Sequence, residues 1–114
     1  MTIAVATTRQ TLADAYKVIG AHVALATGDP GTSATPSNEA SGGSYARVAT
    51  TWTSSTGGVV NGSAVTINAA AATYTYSFLC TASSGNNMFD KTAITSTTLS
   101  SAGQIIVTPT ITIS

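Results

Sequence analysis

Few residues in this chain are equipped for chemistry, and their spacing does not bring them together. It has one histidine, His22, and one cysteine, Cys80. A zinc site needs three or four N, S or O ligands, usually with one closely spaced pair, and no such pair occurs. Cys80 shares a strand face with Tyr74, Tyr76 and Phe78, where a small buried hydrophobe explains it better than a nucleophile does. His22 reads as a strand residue facing solvent or a neighbouring subunit. The four carboxylates, Asp14, Asp29, Glu39 and Asp90, are scattered along the chain. Glycoside hydrolysis would need two of them about 5 to 9.5 Å apart, a distance that spacing along the chain does not set. Serine is so abundant that a Ser-His-Asp set can be drawn with almost any of them, which makes it uninformative. With no nucleophile elbow, phosphate loop or metal pair, the expectation is a protein that is not an enzyme and holds no metal or cofactor. Tyr45, Trp52, Tyr74 and Tyr76 could form a sugar-stacking platform. Core packing is the competing reading, and it is favoured for Trp52.

Composition narrows the class. At 114 residues the chain is long enough for one domain with one core. Only 7% of residues are charged and the formal net charge is zero, against a usual charged share of about 25%. The surface must be built from Thr, Ser, Ala, Gly and Asn, and a surface near neutrality favours association, as in a multi-copy assembly. Four scattered Lys/Arg cannot neutralise a phosphate backbone, so nucleic acid is not an expected partner. No apolar run reaches the roughly 18 residues of a membrane span, and the N-terminus lacks the basic flank and apolar centre of a signal peptide. Synthesis in the cytoplasm, with no membrane partner, is the expectation. A lone cysteine excludes an intrachain disulfide, leaving packing and association to stabilise the fold.

The residues from Gly28 to Arg47, GDPGTSATPSNEASGGSYAR, organise the remainder. Asp29-Pro30 between Gly28 and Gly31 is a turn signal, and Asp29 between glycine and proline reads first as a turn cap. No large apolar side chain then appears before Gly43, and the segment ends in the strand-like Ser44 to Val48. We read residues 28 to 43 as a long ordered crossover. Glu39 and Arg47 can pair between loop and strand, a contact worth about 0 to 1 kcal/mol if it lies on the surface.

The run Thr27-Gly28-Asp29-Pro30-Gly31, then Asn38-Glu39, Gly42-Gly43 and Tyr45-x-Arg47, resembles a family of small bacteriophage virion proteins commonly labelled tail fibre or minor capsid proteins. That family shows T-x-D-P-G, a short gap, N-E-x-x-G-x-x-Y-x-R and a Thr/Ser/Gly-rich β remainder. Ala26 departs from the His that members often carry there. The resemblance implies a phage structural protein. On it, Gly28, Asp29, Pro30, Gly31, Asn38, Glu39, Gly42, Gly43, Tyr45 and Arg47 become a candidate assembly-contact loop.

The elements follow from periodicity and turn chemistry. Residues 1 to 6 read as a frayed or exchanging arm. Thr7 and Gln10 form a capping box, Leu12, Ala15, Tyr16 and Ile19 share one face, and Gly20 sits at a C-cap position. These predict one helix over 8 to 19 with Arg9, Asp14 and Lys17 toward water. Strands are expected at Ala21 to Thr27 and at Tyr45 to Thr53, the second with Val48 and Trp52 inward. Val59-Val60 and Ser63 to Ile67 should flank a two-residue turn at Asn61-Gly62. Ala69 to Ala72 is a connection. Thr73 to Thr81 is the most β-prone stretch, with Tyr74, Tyr76, Phe78 and Cys80 on one face. Met88 to Ile94 is an edge strand, Thr97 to Gly103 a polar connection, and the last run, from Ile105 to Ile113, is broken at Pro109. The fold class is therefore all-β, a single antiparallel β-sandwich or jelly-roll-like barrel over 1 to 114 with one short N-terminal α-helix.

Size and compactness favour a minor capsid or decoration protein on the outer capsid surface of the virion, trimeric and contacting the major capsid protein and copies of itself. The alternatives are a tail fibre or tail-tip component that contacts the host surface, and a free carbohydrate-binding β domain.

Overall fold

A computed structural model describes residues 2–114 as three antiparallel sheets and one helix. The helix, α1 (Ala6–Lys17), is followed by β1 (His22–Ala26), β2 (Val48–Ala49), β3 (Trp52–Ser54), β4 (Val59–Gly62), β5 (Val65–Ala69), β6 (Ala72–Cys80), β7 (Met88–Leu99), β8 (Gly103–Val107) and β9 (Thr110–Thr112). The sheets have the orders β2-β1-β6-β7, β3-β4-β9 and β5-β8. The fold class is mainly β, as the alternation of apolar and hydroxyl residues predicts.

Strands β1 and β6 lie inside the largest sheet and are buried on both faces. Val23, Leu25, Tyr74 and Leu79 pack with Val65, Ile67, Ala69 and Ile105, so the β5-β8 ribbon forms a layer over one face. Ala24, Ala26, Phe78, Cys80 and Met88 make a second cluster on the other face. Tyr74 does not share the Phe78 face as expected. A register shift between Tyr74 and Tyr76 turns it to the opposite side, because a bulge adds a residue and reverses every later side chain.

Several local expectations fail for tertiary reasons. The chain from 45 to 53 is not one strand: it leaves the first sheet after Ala49 and enters the second at Trp52, with Thr50 buried at the crossing. Val48 and Trp52 pack against the core as expected, but Tyr45 and Arg47 also turn inward while Ala46 is exposed. Trp52 packs against two clusters, one from the main core and one of Ala13, Val60 and Ile111, and its indole N–H donates to Gly20 O at 2.9 Å. Asn61-Gly62 is not a turn, since Asn61 is paired with both Thr53 and Thr110 within β4. The hairpin lies upstream, where Ser55 N bonds Val59 O and Gly57 and Gly58 adopt φ of 74° and 103°. Gly62 instead permits close packing, because a Cβ there would sit 2.6 Å from Pro109 Cγ and 2.8 Å from Thr50 Oγ1. The polar stretch expected as a connection from Thr97 is strand up to Leu99, and Ala69 and Ala72 close β5 and open β6. Pro109 does break the last run: β8 pairs with β5, and β9 with β4.

The helix is also displaced and rotated. Val5 is its N-cap with no side-chain bond, so the Thr7 capping box does not form, and the C-cap is Val18 rather than Gly20. Gly20 instead lies where a Cβ would meet Cys80 O at 2.6 Å. Of the expected inward face only Tyr16 packs inward, with the buried Ala13 beside it. Leu12, Ala15 and Ile19 are exposed. Of the arm expected at 1 to 6, Met1 falls outside the described residues and Ala6 is already helical.

Gly62→Ala is expected to destabilise the protein by about 1–3 kcal/mol through overpacking, whereas Asn61→Ala, on an exposed strand position, should stay within about 0.5 kcal/mol. Urea unfolding of both variants checks this, and comparable losses from both would point back to turn geometry.

Candidate functional site: a loop locked by a buried ion pair

The segment between β1 and β2 is ordered because its polar groups are used internally. Asp29 Oδ1 accepts from Gly31 N at 2.9 Å, closing the turn that the Asp-Pro-Gly run predicts, and Pro30 is fully buried. The Lys91 ammonium, which lies 5.9 Å from the Tyr76 ring centroid, is paired with the Asp29 carboxylate. Met88 N donates to Ala34 O at 3.0 Å, tying the loop to the edge strand β7. Asn38, with φ of 60°, directs Glu39 toward β1, and the loop then runs beside that strand.

It completes the outer edge of β1, which the two-residue β2 is too short to cover. Thr27 N bonds Asn38 O at 3.0 Å, Ala40 N bonds Leu25 O at 2.9 Å, and Leu25 N donates to the Tyr45 hydroxyl at 3.3 Å. Backbone groups that a bare edge would leave unpaired are thereby satisfied.

Arg47 holds this arrangement. Its Nε and Nη2 donate to the two Glu39 carboxylate oxygens at 2.8 and 2.9 Å, and Tyr45 donates to Glu39 Oε2 at 2.8 Å. The remaining donors reach the 81 to 87 turn: Nη2 to Gly85 O at 2.9 Å, Nη1 to Asn87 Oδ1 at 3.1 Å and to Ala82 O at 3.2 Å. The guanidinium carbon lies 5.9 Å from the Phe78 ring centroid. All five N–H groups have an acceptor, a geometry that only the planar arginine fork provides. The pair is not a surface contact, since the Arg47 side chain is 4% exposed and that of Glu39 25%. Nor does it cross a boundary between copies, because both partners belong to one chain.

Burial pushes the Glu39 carboxyl up, but the hydrogen bonds from Arg47 and Tyr45 and the guanidinium charge outweigh it and hold the group below its ordinary 4.5. Burial, then the bond to Glu39, raises the Tyr45 hydroxyl above its usual 10. A carboxyl held low stabilises the fold above its unfolded value and loses that contribution as pH falls through the folded one. A phenol held high stabilises below its unfolded value and loses that contribution as pH rises.

The other residues with chemical potential are dispersed. Cys80 is a free thiol, buried, which pushes it up to about 11. His22 is half-buried on β1, its Nδ1 shut from solvent without a hydrogen-bond partner. Among the described residues no three of His, Cys, Asp and Glu lie close enough to hold a metal ion, and no helix is long and apolar enough to cross a membrane. The aromatic platform does not assemble: Tyr74 is in the core, Tyr45 is tied to Glu39 and Trp52 bridges two clusters. An open groove of about 690 Å³ runs between β7 and the β8–β9 segment, lined mainly by Thr and Ile, with Tyr16 on its rim. Sequence reasoning missed it because neither wall carries a distinctive residue and nothing local shows that these consecutive strands join three different sheets.

All eight charged side chains find partners within the chain. Besides the pairs above, Arg9 reaches Gly57 O and Ile3 O, Asp14 and Lys17 share Ser54, and Asp90 accepts from Tyr16. A layered β fold whose charges serve its own loops, with a neutral hydroxyl and methyl exterior, is a structural module. Comparison with known families places it more narrowly: residues 6–114 match the family of the Podophage GP4 fiber I protein gp80, and the chain belongs to that family. It is a phage structural protein and a component of the virion. No curated protein and no solved structure is matched by this chain.

Arg47→Ala is expected to cost about 3–5 kcal/mol, because it leaves a half-buried carboxylate and two loops without their tie. Arg47→Lys should recover only part of that loss, since an ammonium cannot make the bidentate pair. Thermal midpoints of the wild type should form a plateau that falls below about pH 4.5 and above about pH 10, and Arg47→Ala should flatten the acid limb. Equal midpoints for wild type and Arg47→Ala at pH 7 would show that the lock contributes nothing.

Proposed function

We propose that this chain is a passive, multi-copy building block of a phage fibre, contributing a rigid β module through which the fibre is built and carried on the tail. The family match along almost the whole chain is the observation that supports the fibre over the capsid shell. Shape agrees: the molecule measures 47 × 25 × 23 Å, elongated along one axis as a fibre segment would be. Decoration of the shell, with the major capsid protein as partner, drew on small size, which a short fibre segment shares.

Within this reading the segment from 28 to 47 divides into two parts. Pro30, Glu39, Tyr45 and Arg47 work inward as the lock. Asp29, Asn38, Gly42 and Gly43 are exposed, and with Gly28 and Gly31 at the turn they form the rim that a neighbouring copy or virion protein would touch. Contact there would be by shape and backbone hydrogen bonding, because the Asp29 carboxylate is already paired with Lys91. Such a protein binds the assembled particle and stabilises that state by mass action.

Particles from phage lacking the gene for this chain should keep their filled heads and head heat-resistance but lose a fibre and adsorb poorly to host cells. Immunogold against the chain should label the tail of wild-type particles. Label over the whole head, with heads that become heat-sensitive when the protein is missing, would restore the decoration reading and defeat this one.

A further inference from the structure

Strands β7 and β9 are each the last of their sheets, and both line the groove between β7 and the β8–β9 segment. In an antiparallel strand a residue's N–H and C=O point to the same side, and the side alternates from one residue to the next. Pro109 O accepts from Gly62 N, and Ile113 N donates to Gly58 O, so the odd-numbered residues of this stretch face β4. The backbone groups of Thr110 and Thr112 therefore point the other way, and both residues line the groove. Among the described residues nothing bonds those groups, because β9 pairs with β4 alone. Across the groove β7 is in the same condition. Lys91 N bonds the neighbouring Asp90 carboxylate at 2.8 Å and Ala93 O takes the Thr92 hydroxyl at 3.4 Å, local bonds that stand in for a missing strand.

Open edges are usually protected by a charge, a proline or a covering loop, as the 28 to 43 segment covers β1. None of these protects β9. The N–H that Pro109 lacks would face β4, so the proline leaves the outer edge open. The charged groups in the groove are already engaged, since Asp90 accepts from Tyr16 and Lys91 is paired with Asp29. Leu79, Ile94, Ile105 and Ile111 give the groove an apolar lining, and Ile106, also lining it, is 68% exposed.

We propose that the groove takes up an extended, uncharged polypeptide segment from another chain, which adds to β9 as a further strand of the β3-β4-β9 sheet. The chemistry of the site specifies that occupant. Donors and acceptors that recur at every second residue along an edge are matched by the backbone of another strand. Apolar side chains at every second position of that strand would fall beside Ile111 on the same face of the sheet. A free charge on the segment would find no partner, because the groove's own charges are engaged. The lining runs without a break from Ile105 to Ile113, which leaves room for a strand of ordinary length, about five or six residues. A sugar is less well matched, because the aromatic ring at the rim, Tyr16, packs against Phe89 and its hydroxyl is bonded to Asp90. Any neighbour in the particle, on fibre or shell, can supply such a segment, so this site does not depend on the fibre reading.

The probe is a short peptide of alternating threonine and valine with acetyl and amide ends, added to the full chain. Amide exchange followed by NMR should slow at Thr110 and Thr112 and stay unchanged at Ile111, whose N–H already faces β4. A peptide with the same side chains on a fully N-methylated backbone should not bind. Thr112→Pro removes one outward N–H at an edge position where proline is tolerated. It should keep the wild-type circular dichroism spectrum and bind the peptide about tenfold more weakly. If that variant misfolds, the methylated peptide still decides the matter. A wild-type chain that self-associates and is separated by the peptide would make a second copy the source of the segment and would support the site. Equal binding of the methylated peptide, full binding by a folded Thr112→Pro, no protection of Thr110 and Thr112 by the peptide, or their protection by maltoheptaose instead would each overturn it.

Discussion

One guanidinium organises this molecule. The Arg47 fork joins the Glu39 carboxylate on the long loop to the carbonyls of the 81 to 87 turn, and Tyr45 completes the carboxylate's coordination from the same stretch of chain. Taking both charges out of water carries a large desolvation penalty, so the pair is tolerable only because every donor has an acceptor. What results is conformational definition: a sixteen-residue polar segment is held against β1 in one arrangement and covers an edge that would otherwise be open to any passing strand. The same guanidinium also touches the second core cluster, its carbon lying 5.9 Å from the Phe78 ring centroid.

The same economy of charge shapes the exterior. With four cations and four carboxylates, all engaged within the chain, the outer surface meets its surroundings through hydroxyls, amides and methyl groups. Such a surface is poorly protected against association. The docking of the helix belongs to the same logic. Polar groups are used to fix elements to each other, which leaves apolar groups free to face outward.

Much was legible from residue order alone. The alternation in β1, β6 and β8 required strands, Asp29-Pro30-Gly31 required a turn, Pro109 required a break, and Glu39 with Arg47 were visible as partners because charge is so scarce here. These are local signals, written in side-chain period, backbone restriction and composition. Which sheet a strand joins, and which side of an element faces inward, were not local. Asn61-Gly62 carries good turn chemistry, yet β3 and β9 flank that strand on both sides and hold it straight. The apolar stripe of the helix was read as inward because burying it lowers the free energy of a lone chain, whereas Gln10, Asp14 and Arg9 find their bonds on the sheet and turn it outward. Periodicity ranks faces by hydropathy without knowing what lies opposite each one. Only the assembled fold supplies the acceptors that decided the helix's orientation and the depth at which Arg47 is buried.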